Sequence, residues 1–214
     1  MIIINARFLT QKLTGVQRFA IELCFQMKER LGGDVQFVVP YNIIHTEIAE
    51  QLGAVVIGKK RGHLWEQIDL PIYLKAKGSP ILICLGNTAP VFYHNKISTL
   101  HDIMFIRYPK IFSFKFRMLY RILIPRVLHT SKHIFTVSDF SKKEICDYYN
   151  VNPDKVAIIY NAVNGMFHHI TDNALGKEKY LITVSSFKEN KNFIMAYKAF
   201  KLAQKYVEGL KLYI

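Results

Sequence analysis

Short aliphatic and β-branched runs alternate with longer stretches of helical period over the first 160 residues. Residues 2–4, 35–39, 55–57, 81–85, 97–100, 134–137 and 156–160 read as strands. Residues 16–31, 44–52, 64–75, 112–129 and 141–149 read as helices. In the first helix Val16, Ala20, Leu23, Met27 and Leu31 form one apolar stripe, and Gly32-Gly33 ends it. The strands are apolar throughout rather than alternating, the mark of strands covered on both faces by crossover helices. The pattern predicts an α/β fold: a Rossmann-like, doubly wound parallel sheet filling residues 1–163.

Residues 164–177 lack periodicity and are rich in Asn, Gly, His, Thr and Asp, so they read as a linker. The alternation then restarts within 178–214, with a strand near 180–184, a helix near 192–206 and a strand at 210–214. A second doubly wound domain needs on the order of 100–150 residues. Residues 178–214 are therefore expected to be only the start of one, and the chain the front part of a longer protein.

Charge narrows the range of partners. Lys and Arg number 29 against 16 Asp and Glu, a formal net charge of +13, which suits phosphates, an anionic membrane or nucleic acid. No RNP, KH, helix-turn-helix or zinc pattern occurs, so nucleic acid is not an expected partner. Cys24, Cys84 and Cys146 are few and far apart, the usage of a reduced cytosolic protein, and no Cys-x-x-Cys suggests a zinc site. The N-terminus has no signal-peptide pattern, and no apolar run reaches the roughly 20 residues that span a bilayer.

Chemistry concentrates in loops after strands. The loop that follows the first strand carries Arg7, Lys12, Thr14, Gly15 and Arg18 and opens the first helix; amides at a helix N-terminus, with a glycine permitting close approach, suit a phosphate or carboxylate. His101-Asp102 follows the fifth strand, at the edge where open parallel sheets bind ligands. His101 there suits a sugar hydroxyl, while Asp102 either fixes its tautomer or caps the next turn. Ser138, Asp139 and Ser141 stand where a strand gives way to a helix and read as N-caps. Ser185 to Asn192 forms another strand-to-helix loop, with Lys188 and Lys191 placed for an anion. Between Asp102 and Asp139 lie seven cations, Lys115, Arg117 and Arg121 among them, and no acid. Phe112, Phe116, Leu119, Leu123 and Val127 form a core stripe there, leaving Phe114, Met118 and Ile122 on a second face, as in an interfacial helix.

Taken in order, Thr14-Gly15-Val16-Gln17-Arg18, His101-Asp102, Thr136 to Ser141, Ile159-Tyr160-Asn161-Ala162-Val163 and Ser185 to Asn192 resemble the retaining "group 1" GT-B glycosyltransferases, closest to bacterial enzymes of O-antigen and capsule synthesis. The resemblance spans the whole chain and rests on the order of five motifs rather than on any one. It implies two Rossmann-like domains, with 1–163 on the acceptor side, and a cleft that takes a nucleotide-diphosphate sugar without metal or other cofactor. It further implies that Gly15 lies beside the donor diphosphate and that His101 and Asp102 serve catalysis. Arg7, Thr14, Arg18, Ser138 and Asn161 would line the acceptor side of the cleft. Ser185, Ser186, Lys188 and Lys191 would hold the donor, Lys191 as the diphosphate lysine. Ser186 stands where many members have Arg, and the family's late acidic pair is absent, so this chain alone is expected to transfer no sugar. The implied acceptor is a lipid-linked saccharide, placing the protein in the cytoplasm, at the inner face of the cell membrane, with Lys115, Arg117 and Arg121 toward anionic lipid. The alternatives are a GT-B nucleotide-sugar epimerase, disfavoured by the scarcity of carboxylates, and a non-catalytic basic binding module.

Overall fold

The computed structural model describes residues 1–163, 178–185, 187 and 191–214. The chain divides into two compact units, Met1–Asn164 and Gly165–Ile214. The first is a seven-stranded, wholly parallel sheet: β1 (Ile2–Asn5), β2 (Val35–Val39), β3 (Val55–Val56), β4 (Ile81–Cys84), β5 (Lys96–Thr99), β6 (His133–Thr136) and β7 (Val156–Ile158). Their spatial order is β3-β2-β1-β4-β5-β6-β7, so the chain reverses direction across the sheet between β1 and β4. That junction is the topological switch point, and every strand's carboxyl end lies on the same edge.

The pleat sends alternate residues to opposite faces. Ile4 joins one core with Phe37, Val39, Ala20 and Cys24, under α1 (Gly15–Leu31) and α2 (Thr46–Leu52). Ile3 joins the other with Val38, Leu82, Trp65 and Leu74. A third cluster around Leu100, Ile134 and Val156 lies beneath α5 (Met104–Arg107), α6 (Phe114–Thr130) and α7 (Asp139–Tyr149).

The segment expected to form one helix over 64–75 is a composite. α3 (Gly62–Leu64) widens into a π-helical turn, Trp65–Asp69, before α4 (Leu70–Ala76). Pro71 has no N–H to donate, and its ring opposes the carbonyl four residues back, so the turn relaxes upstream. The fully buried Trp65 donates Nε1–H to the Ile57 carbonyl at 2.8 Å. Asp69 accepts the Lys59 and Lys60 amides at 2.8 and 2.7 Å. It packs so closely on Gly58, at φ +72°, that a Cβ there would meet its carboxylate.

The second unit pairs β8 (Tyr180–Ile182) in parallel with β9 (Lys211–Tyr213), with α8 (Phe193–Ala203) between them in sequence. Asn192 caps α8 by accepting the Met195 amide at 3.3 Å.

Candidate active site

The site is assembled from the loops that leave the carboxyl ends of β1, β4, β5 and β6. After β1 the chain makes a 3-10 turn, Arg7–Thr10, and then enters α1 at Thr14 and Gly15. The buried Gln17 side chain locks this entry: its Oε1 accepts the Thr14 amide at 3.2 Å and the Thr14 hydroxyl, and its Nε2 donates to Gln11 at 2.7 Å. Thr14, Gly15 and Arg18 stand exposed around the helix N-terminus. Among the described residues, a Cβ on Gly15 would meet no atom beyond its own helix turn within 4 Å.

His101 is only 7% exposed. Its Nε2–H donates to the Leu85 carbonyl at 3.1 Å, and its backbone amide donates to Asn87 at 3.0 Å. Because a carbonyl can only accept, the neutral ring carries its proton on Nε2 and keeps Nδ1 as an acceptor. The Phe19 ring of α1 meets the imidazole edge-on, with centroids 5.0 Å apart. His101 is therefore held between β4, β5 and the first turns of α1. Burial lowers its pKa below the usual histidine value, against the opposing pull of the Leu85 bond and the Asp102 charge. Asp102 is exposed and accepts the Met104 amide at 2.9 Å, a local turn bond at the entrance to α5, whose N-cap position is Ile103. Ser138 caps α7, accepting the Ser141 amide at 3.1 Å. Asn161 is exposed beyond β7, where neighbouring Tyr160 donates its hydroxyl to Asp139 at 2.7 Å.

Arg7 does not stand free beside the helix. It is 9% exposed and committed to a buried network at the switch point. Its Nε donates to Glu66 at 3.2 Å and its Nη2 to Thr88 at 2.7 Å. Thr88 donates to the other Glu66 oxygen at 2.7 Å, and Asn5 Nδ2 donates to Glu66 at 2.8 Å. His63 Nδ1 lies 3.5 Å from Glu66. Burial would push the Glu66 carboxyl up; the Arg7 charge, then His63 and Thr88, overcome it and hold the pKa at about 2. Glu66 was not singled out in the sequence, where one acid beside a tryptophan gives no sign of burial. Only the π turn at that position, together with the sheet order, brings it beneath Arg7.

Among the cations of α6, Lys115 and Arg121 are exposed, and so are Phe114, Met118 and Ile122. Leu119, expected in the core stripe, is 40% exposed and joins the outer face, while Leu123 and Val127 are buried as expected. Arg117 is half-buried against the Phe114 ring, and its Nε has no hydrogen-bond partner among the described residues. Ser185 and Lys191 are exposed in the second unit, whereas Ser186 and Lys188 lie outside the described residues. No helix among the described residues is long and apolar enough to cross a membrane.

A parallel sheet of this order, with a buried histidine and an open helix N-terminus near the point where its strand order reverses, is an α/β, Rossmann-like fold. The likeness to group 1 glycosyltransferases read from the five motifs, apart from the retaining mechanism, is borne out by similarity to particular proteins. Residues 79–165, which hold His101, Asp102, Ser138 and Asn161, match Glycosyltransferase Family 4. The chain is 27% identical over 207 residues to the O-antigen chain mannosyltransferase RfbU of Salmonella typhimurium, covering 89% of this chain and 56% of that protein. The crystal structure of HepE from Anabaena in complex with UDP shares the fold, with a TM-score of 0.50 and 14% identity over 76% of this chain and 44% of that one. The chain thus spans about half the length of the relatives it matches.

Proposed function

We propose that the protein is a retaining glycosyltransferase of surface-polysaccharide synthesis. It moves a sugar, a hexose such as mannose, from a nucleotide-diphosphate donor to a lipid-linked saccharide. The observation that carries this reading is the placement of His101 at the carboxyl end of β5, against the first turns of α1. A neutral imidazole with Nδ1 free to accept suits a hydroxyl of the transferred sugar. The α1 N-terminus beside it offers amides and Gly15 to the donor diphosphate. The name of the Salmonella relative supports the reaction class, and the UDP complex of the Anabaena structure supports a nucleotide donor. Ser185, Ser186, Lys188 and Lys191 fall to the donor side, and the chemistry asks for no metal.

The proposed location at a membrane surface rests on α6. Phe114, Met118, Leu119 and Ile122 are exposed beside Lys115 and Arg121, an apolar strip edged with cations that suits the inner face of an anionic membrane. Arg117 would contribute once drawn from its half-buried seat. The reaction is tested by incubating the natural full-length protein with labelled UDP- and GDP-sugars and lipid-linked saccharide from membranes. Label is expected in the lipid fraction with one donor, and Lys191→Ala should raise the donor KM with little change in kcat. Absence of transfer from every donor would overturn the reading.

A further inference from the structure

The loop after β5, α5 and the first turns of α7 line an open pocket of about 440 Å³. That is within the range of small-molecule sites, roughly 300–1,000 Å³. Two aromatic rings stand at it largely uncovered, Tyr108 at 58% and Phe140 at 75% exposed. One exposed aromatic needs no explanation, but two on separate elements that line one cavity are a different matter. Phe140 sits in the first turn of α7, where the neighbouring Ser138 and Ser141 bond each other and the ring joins no core cluster. Arg107 and Glu144 also line the pocket, Arg107 donating to both Glu144 oxygens at 2.6 and 2.7 Å. Asp102 supplies a further carboxylate to the lining.

We infer that this pocket binds the acceptor saccharide through one or two neutral pyranose rings, with Tyr108 and Phe140 as stacking faces and Asp102 and the Arg107–Glu144 pair as partners for hydroxyls. An aromatic face is electron-rich and attracts the weakly positive C–H face of a pyranose. Ring hydroxyls both donate and accept, which matches carboxylates set beside a guanidinium. Charge selects against a phosphate: the lining carries Asp102 and Glu144 against Arg107 alone, a negative balance in a chain of net +13. The anion-favouring ground, the α1 N-terminus and the outer face of α6, is built from other residues. Calling the bound sugar the acceptor rests on the glycosyltransferase reading; the pocket's preference for a neutral saccharide does not.

Met104 lines this pocket, whereas Met118 lines a separate one on α6 and Met27 packs on the α1 core. The chain, labelled with 13C-methyl methionine, is titrated with neutral disaccharides ending in mannose, galactose, glucose or N-acetylglucosamine, and separately with inorganic pyrophosphate. At least one disaccharide should shift the Met104 methyl saturably, leaving Met27 and Met118 in place, and pyrophosphate should leave Met104 unmoved. Phe140→Ala, made at an exposed ring, should weaken the response about tenfold, equivalent to about 1.4 kcal/mol, with Met27 unshifted as proof of fold. No Met104 response to any disaccharide, an unchanged response in Phe140→Ala, or a response to pyrophosphate alone would overturn the inference. If Met104 responds but the full-length protein transfers nothing, the enzymatic reading falls and the saccharide site stands. If transfer occurs without a Met104 response, the pocket assignment alone falls.

Discussion

Glu66 is the residue on which the switch point turns. Its carboxylate is buried beneath Arg7 with four polar neighbours, so Glu66→Gln would leave a guanidinium in a dry site without its counter-charge. Breaking a buried pair from one side costs about 3–5 kcal/mol, and a loss of that size is expected in urea unfolding at neutral pH. The pH dependence has a definite sign. A carboxyl held at about 2 in the fold and near 4.5 when unfolded contributes stability that is complete above pH 4.5 and is lost as pH falls through about 2. His101, lowered by burial, acts in the same direction, withdrawing stability as pH drops below the ordinary histidine range. A stability profile flat from pH 7 down to 2 would contradict both assignments. Gly15 offers a cleaner separation of structure from function. A methyl there would touch no other element among the described residues, so Gly15→Ala should raise stability by about 0.4–1 kcal/mol through the unfolded state. The same change should weaken donor binding, read by calorimetry with the nucleotide diphosphate. Unchanged affinity would remove the α1 N-terminus from the site.

Among the elements, α6 shows how far periodicity reaches. Its apolar residues were legible as two faces, and Leu123 and Val127 were rightly assigned to the core. Leu119 was assigned to the wrong face because a residue at a stripe's edge is placed by the neighbouring elements, not by the 100° turn alone. The strands were legible to within a residue or two at most ends, since wholly apolar runs bounded by polar loops have few other readings. The π turn at Trp65–Asp69 was not, because the sequence shows Pro71 but not where the helix will widen. Consequently the Glu66 network, which depends on that turn, stayed hidden, while His101 and Gly15 could be singled out as candidates from their places after strands. On α6 the exposed strip makes a direct prediction. Each cation near an anionic surface adds about 1 kcal/mol within a Debye length. The protein should co-sediment with phosphatidylglycerol vesicles, bind neutral ones weakly, and be released near 0.5 M salt, where the Debye length is about 4 Å. Replacing Lys115, Arg117 and Arg121 together by Ser should abolish sedimentation without unfolding the chain. Retention by the triple variant would mean that these cations only solvate the helix.

For the molecule as a whole, the strand order was the step the sequence left implicit. Alternation alone predicts a parallel sheet; the reversal between β1 and β4 is what sets the α1 N-terminus, His101 and the saccharide pocket on one edge of it. On the proposed reading, one wall of that edge offers amides to an anion and another offers aromatic rings and carboxylates to a sugar, while the buried His101 acts on the sugar that is transferred. This division of labour is the central claim, and steady-state kinetics of His101→Ala in the natural full-length protein tests it most directly. If the imidazole acts on the sugar during transfer, kcat should fall by about 100-fold or more, some 2.7 kcal/mol of barrier, while the donor KM stays within about threefold, under 1 kcal/mol. A variant that keeps its kcat, or that loses only donor affinity, would contradict the claim.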